Sequence, residues 1–171
     1  RYHKVTGVQT CALPIWTRMT QAEFESRIIA MQDTLYRVSA TLLPQMCDRE
    51  DAIQECIYKA LSKREKLKSD EAMQSWVVRI LINECYQQMR RRKRLIPVET
   101  LPEGEVEPGA DAEVRRALMS LKPELRVPLE LHYIEGYKVE EIARILRLPA
   151  GTVKSRLSKG RRTMRREWSE E

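Results

Sequence analysis

From Phe24 onward the apolar positions are Phe24, Ile28, Met31, Leu35, Val38 and Leu42, in alternating four- and three-residue steps. That spacing predicts one face of a single amphipathic helix, which Pro44 ends. A second helix is expected to start at the cap-like Asp48 and to turn Ala52, Ile53, Ile57, Ala60 and Leu61 inward. Lys63–Asp70 is charged and loop-like, with Ser69 or Asp70 as the next cap. A third helix, from about 71 to 92, should present Met73, Trp76, Val77, Ile80, Leu81 and Cys85 to the same core. Three helices with short connections can bury a modest shared core, so residues 19–94 are expected to fold as one helical domain.

The pattern then breaks. Residues 95–111 carry Pro97, Pro102, Pro108, Gly104 and Gly109 with acids between them, too polar and too interrupted to pack, and are expected to be a flexible acidic linker. Beyond it, Glu113–Leu121 and Glu124–Ile134 read as helices separated by Lys122-Pro123, the second ended by Gly136. Two more helices follow across a tight turn. Val139, Ile142, Ala143 and Leu146 share a face on the first, and Val153 and Leu157 on the second. Arg147-Leu148-Pro149 should stop the first of them, because proline cannot continue a helix and disfavours helical geometry just before it. Glu140 and Glu141 read as caps. Residues 112–171 are thus expected to be a four-helix domain containing a helix-turn-helix. No segment reads as a strand, and the predicted class is all-α with two small helical domains.

Charge sharpens this outline. The chain has 171 residues and a formal net charge of +6, but the distribution says more than the total. Six acids and no base lie in Pro97–Glu113, whereas Arg90–Arg94 is five cations in a row and Arg144–Arg166 holds nine. Two basic blocks across an acidic spacer suit two nucleic-acid contacts. The cysteines, Cys11, Cys47, Cys56 and Cys85, form no CxxC and have only His3 and His132 for company. They read as small buried thiols of a reducing cytoplasm, and no metal or cofactor is expected. No apolar run is long enough to span a bilayer, so no membrane insertion is expected. The head, Val5–Ile15, resembles the translation of a sequencing-library adapter read in frame. Residues 1–18 are therefore expected to be non-native, with the true start near Met19 or lost, and are set aside from functional reasoning.

Three constellations carry chemistry. Asp48, Asp51 and Glu55 share a face at the start of the second helix. Two readings stand for them: stabilisation of the helix dipole, or a docking surface for a basic partner. On the third helix, Asn83, Gln87 and Arg91 step by four toward the block of cations. The amide of Asn83 sits among apolar residues, where it is costly without a partner. That stripe suits bases followed by phosphates, or else it is a solvated face whose basic end complements the dipole. In the last helix, Thr152, Lys154, Ser155, Arg156, Ser158, Lys159, Arg161 and Arg162 supply the donors and cations of a recognition helix in a major groove. The alternative there is a basic surface on an ordinary core helix. No nucleophile–base pair, glycine-rich loop or metal constellation appears, so catalysis is not expected.

DREDAIQE at 48–55, SWVVRILIN at 75–83 followed by RRRKR, the acidic spacer, and LKPELRVPLELHYIEGYKVEEIARILRLPAGTVKSRLSKGRRTMRR at 121–166 together resemble a bacterial extracytoplasmic-function sigma factor. The likeness covers essentially 19–168. It implies a cytoplasmic, non-enzymatic initiation factor that binds core RNA polymerase and promoter DNA and is held by an anti-sigma factor. Asp48, Asp51, Gln54 and Glu55 match the stretch that docks on the clamp-helix coiled coil of the large polymerase subunit. Asn83 matches the position beside the pocket for a flipped base of the minus-ten element. Trp76 and Arg79 belong to the same motif, and Gln87 lies on its stripe. Arg90, Arg91, Arg92 and Lys93 would hold backbone phosphates. Lys154, Ser155 and Lys159 match readers of the minus-thirty-five element, with Thr152, Arg156, Arg161 and Arg162 as phosphate contacts. Three positions depart from the family pattern. Arg147 replaces the usual turn glycine, Lys159 a more usual arginine, and Cys56 a bulkier residue. The rival from another class is a stand-alone helix-turn-helix regulator, although residues 19–94 show no ligand-pocket signature.

Overall fold

A computed structural model describes residues 19–95 and 112–169, and every described element is helical. The head and residues 96–111, on which the adapter and linker readings fall, lie outside them. The first body comprises α1 (Gln21–Ala30), α2 (Gln32–Ala40), α3 (Met46–Ser62) and α4 (Met73–Leu95), with short 3-10 turns at Arg64–Lys66 and Asp70–Ala72. Thr20 and Glu23 close a capping box at the start of α1. The Thr20 hydroxyl accepts from the Glu23 N–H at 3.2 Å, and the Glu23 carboxylate accepts from the Thr20 N–H at 2.8 Å. The single first helix expected from the apolar spacing is broken at Met31, which leaves helical geometry at φ −90°, ψ 1°. No glycine or proline accounts for the break, yet Phe24, Ile28, Met31, Leu35, Val38 and Leu42 are all buried as the spacing required.

α3 starts at Met46 rather than at Asp48, so Asp48 lies in its first turn instead of capping it. The buried Arg49 explains how this end is fixed. Its guanidinium donates to the carbonyls of Leu43 at 2.7 Å and Pro44 at 2.8 Å and lies 5.7 Å over the Tyr36 ring. Carbonyls that would otherwise face the core unpaired are thereby satisfied. Ala52, Cys56 and Ala60 are the wholly buried residues of the α3 face, Ile53 and Ile57 pack at its margin, and Leu61, expected inside, is 39 % exposed. The thiols of Cys56 and Cys85 are buried and pushed up to about 12 by desolvation, which makes them inert. Cys47, read as buried, is exposed.

The second body comprises α5 (Ala112–Ser120), α6 (Pro123–Leu129), a π-helical turn (Glu130–Ile134), α7 (Val139–Leu146) and α8 (Ala150–Ser169). Leu125, Val127, Leu129 and Leu131 meet Ile142, Ile145, Val153 and Leu157 in its core. At Gly160 an added Cβ would stand 2.7 Å from the Leu129 Cδ1, so glycine is what allows α8 to lie this close to α6. The helix expected over 124–134 widens into the π turn after Pro128 and ends at Gly136, whose φ is +74°.

The two bodies touch. α7 packs on α4, and Glu135 accepts from Arg37 Nε at 2.7 Å, Arg37 Nη2 at 3.1 Å and the Thr34 hydroxyl at 2.7 Å. The Glu135 side chain is only 4 % exposed in this two-pronged clasp.

Candidate functional site

The acidic face of α3 is divided in the structure. Asp51, Gln54 and Glu55 are exposed, whereas Asp48 is drawn into an ion pair with Arg92 of α4, 2.6 Å from its Nη1. A predicted docking acid and a predicted phosphate cation thus hold each other, and both side chains are about three-quarters covered. That pair ties the start of α3 to the basic end of α4. Arg90, Arg91 and Lys93 around it remain exposed.

Along α4, Trp76 is half-buried at the margin of the core, edge-on to Phe24 with ring centroids 6.5 Å apart. Arg79 is half-buried. The polar residue that the apolar run buries is Glu84, not Asn83: Asn83 is exposed and Glu84 is 7 % exposed. Helical spacing accounts for the swap, since Glu84 follows Val77 and Leu81 by seven and three residues and so shares their inward face. Lys59 of α3 meets the Glu84 carboxylate at 2.7 Å, and the Gln87 amide donates to its other oxygen at 3.3 Å. Asn83, Gln87 and Arg90 line an open cleft of about 480 Å³ with Lys59, Lys63 and Arg147. Of the expected stripe, Asn83 and Arg91 are exposed and Gln87 is half-buried, and Arg91 lines a different cleft, with Asp51, Glu55 and Gln88.

In the helix-turn-helix, Glu141 accepts from the Lys138 N–H at 2.8 Å at the start of α7, as a cap should. The turn forms despite its departure from glycine. Arg147 sits in the left-handed region at φ 54°, ψ 47°, where an L side chain costs roughly 1–2 kcal/mol. Arg147→Gly is expected to raise stability by up to about 1 kcal/mol, glycine's larger unfolded-state entropy offsetting part of the relief. Chemical denaturation of the two chains measures this, and equal or lower stability would contradict the strain. On α8, Lys154, Ser155, Lys159, Arg161 and Arg162 are exposed. The Ser155 hydroxyl donates to the Thr152 carbonyl at 2.9 Å, and Arg161 donates to the Tyr133 hydroxyl at 2.8 Å. Thr152 and Arg156 are half-buried, and Arg156 lines the seam between the bodies with Asn83, Tyr86 and Arg147.

Sequence reasoning missed Arg37, Glu135, Lys59 and Glu84. Only Glu84 left a local trace, its helical phase with Val77 and Leu81.

Among the described residues, no helix is long and apolar enough to cross a membrane, and no group of three His, Cys, Asp or Glu side chains is placed to hold a metal. Family models for sigma-70 region 2 and sigma-70 region 4 match residues 28–95 and 111–164. The RNA polymerase sigma-E factor of Streptomyces coelicolor is 30% identical over 151 residues, covering 85% of each chain. The ECF RNA polymerase sigma factor SigM of Mycobacterium tuberculosis is 34% identical over 127 residues, 70% of this chain and 63% of that one. Among solved structures, the sigma factor RpoE in complex with the anti-sigma factor NepR from Bartonella quintana superposes with a TM-score of 0.73. It shares 25% identity and covers 84% of this chain and 94% of that one.

Proposed function

The chain belongs to the sigma-70 family of RNA polymerase sigma factors, of the extracytoplasmic-function type, and on that premise we propose how its faces divide the work. It directs promoter-specific transcription initiation by RNA polymerase, without catalytic chemistry of its own. The bacterial cytoplasm, where core polymerase works, is its place of action. Residues 19–94 form the core- and minus-ten-binding domain, and residues 112–171 the minus-thirty-five-binding domain. Asp51, Gln54 and Glu55 dock on core polymerase, with Asp48 holding the start of α3 through Arg92. Asn83 and Gln87 meet bases of the minus-ten element, and Arg90, Arg91 and Lys93 take the adjoining phosphates. Lys154, Ser155 and Lys159 read the minus-thirty-five element between phosphate contacts from Arg161 and Arg162.

The observation that carries this division is the separation of charge in the first body. Exposed acids occupy α3, and exposed cations and amides occupy α4. One surface suits a basic protein and the other suits DNA.

Reading both elements requires the two bodies to part. Elements about 25 base pairs apart lie roughly 85 Å from each other on B-DNA at 3.4 Å per pair. Here Asn83 and Arg156 line one seam. The Arg37–Glu135 clasp and the packing of α7 on α4 both have to release. An anti-sigma partner, of the kind bound in the NepR complex, would hold the closed form in resting cells. Purification of the native protein from resting cells is expected to bring down such a partner. Recovery only free or on polymerase, under every growth condition, would contradict it.

The reading is tested by transcription with purified bacterial core polymerase over a random promoter library, with and without residues 19–171. New start sites preceded by two spaced motifs are expected. A folded chain that neither binds core nor adds initiation would favour a stand-alone helix-turn-helix regulator.

A further inference from the structure

Tyr133 is an aromatic residue that the fold leaves outside. It stands in the π turn between α6 and α7 with 55 % of its surface exposed, yet its side chain is held at both ends. The ring lies edge-on to the His132 imidazole, centroids 4.8 Å apart, and the His132 Nδ1–H donates to the Tyr137 carbonyl at 2.9 Å. The hydroxyl oxygen accepts from Nη1 of Arg161 on α8 at 2.8 Å.

A solvated hydrogen bond of this kind adds little to the fold, because water offers both groups equivalent partners. Its effect falls on the guanidinium. Arginine is long and flexible, and an anion that binds it must first order it. Tyr133 occupies one of its five N–H groups and leaves the others, with the whole charge, for a second acceptor. The side of the helix also matters. Arg161 follows Lys154 by seven residues, two turns of α8, and so stands on the same face. Arg156 is turned instead to the seam with the first body. The bond to Tyr133 thus fixes a cation on the Lys154 side of the recognition helix, outside the seam.

We propose that Tyr133 is a positioning residue of the helix-turn-helix, which holds the Arg161 guanidinium ready for a backbone phosphate flanking the minus-thirty-five element. The inference rests on the reading that Arg161 meets such a phosphate, and it adds what orders that cation. Tyr133 acts through Arg161 and reads no base.

The test is binding of holoenzyme, reconstituted from core polymerase and this chain, to a promoter found in the library transcription, repeated over a range of salt. Four chains are compared: the wild type, Tyr133→Phe, Arg161→Ala and the double variant. Arg161→Ala should weaken binding and reduce the slope of log affinity against log salt by about one, as the loss of one phosphate contact requires. Tyr133→Phe keeps the ring, the His132 contact and every charge. It should weaken binding by about fivefold, with the salt slope and the base preferences unchanged. In the Arg161→Ala background the same change should cost nothing. A merely structural Tyr133 would lower the melting temperature and weaken binding equally in both backgrounds, which overturns the proposal. Unchanged binding by Tyr133→Phe overturns it as well. So does tighter binding, since the bond would then be withdrawing Arg161 from the DNA. If Arg161→Ala alters neither affinity nor slope, the phosphate reading of Arg161 fails and the positioning role fails with it.

Discussion

Asp51→Arg combined with Glu55→Arg is expected to weaken binding to core polymerase by at least about a hundredfold while leaving the fold intact. Both side chains stand on the outer face of α3, and among the described residues the only close ion pair with either is the contact of Glu55 with Lys59 at 3.4 Å. An exposed pair of that kind contributes little, and surface changes of this sort usually stay within about 0.5 kcal/mol. The melting temperature should therefore move by no more than about 2 °C. At a charged interface the balance differs. Removing one partner of a desolvated charge pair costs roughly 2–5 kcal/mol, and reversing its sign adds repulsion, so two reversals easily exceed two decades. Asp48 is left out on purpose, because its pair with Arg92 at 2.6 Å joins α3 to α4, and changing it would confuse docking with folding. Titration of labelled core polymerase with both chains supplies the measurement. Unchanged affinity would remove α3 from the docking surface, and in a stand-alone regulator the two reversals would alter no polymerase contact at all.

The same contrast between local and distant partners decides how much of the molecule can be read from its sequence. Apolar spacing locates Phe24 to Leu42, the α4 core face and the Val153–Leu157 stripe of α8, because each depends only on neighbours within one helix. The helix-turn-helix is legible for the same reason, with Pro149 and the Glu141 cap within a few residues of what they fix. Features made by residues far apart in the chain are not. Arg37 meets Glu135 across 98 positions and Asp48 meets Arg92 across 44, and no local pattern reports either. Lys59 and Glu84 look like two ordinary surface charges until α3 is laid against α4. Asn83 and Glu84 are the instructive case. Both are polar residues inside one apolar run, and helical phase, not polarity, decides that the acid goes inward and the amide outward. The kink at Met31 and the π turn at Glu130–Ile134 left no signal in the residues that form them.

That π turn carries the second large expectation. Glu130 is 4 % exposed, and burial, with the charge of Glu135 nearby, pushes its carboxyl up to about 7; Arg115 and Arg37 oppose the shift and are outweighed. The unfolded chain has an ordinary carboxyl near 4.5. Between those two values the folded protein binds the proton more tightly than the unfolded one, so stability from this group is fully present below about pH 4.5 and is lost as pH rises through about 7. A shift of roughly 2.5 units corresponds to about 3 kcal/mol across that window. Glu130→Gln keeps the shape and removes the ionisation. The variant should therefore match the wild type only below about pH 4.5 and exceed it progressively toward pH 8, by as much as about 3 kcal/mol or roughly 6–12 °C in melting temperature. Denaturation at intervals from about pH 4 to 8 tests this, and parallel curves for the two chains would show that Glu130 titrates like a solvated acid. The location makes the effect more than a matter of stability. The Glu130 carbonyl accepts from the Glu135 N–H at 3.1 Å, and the Glu135 carboxylate pairs with Arg37 of the first body. Charging Glu130 near neutral pH places a second buried negative charge beside that clasp.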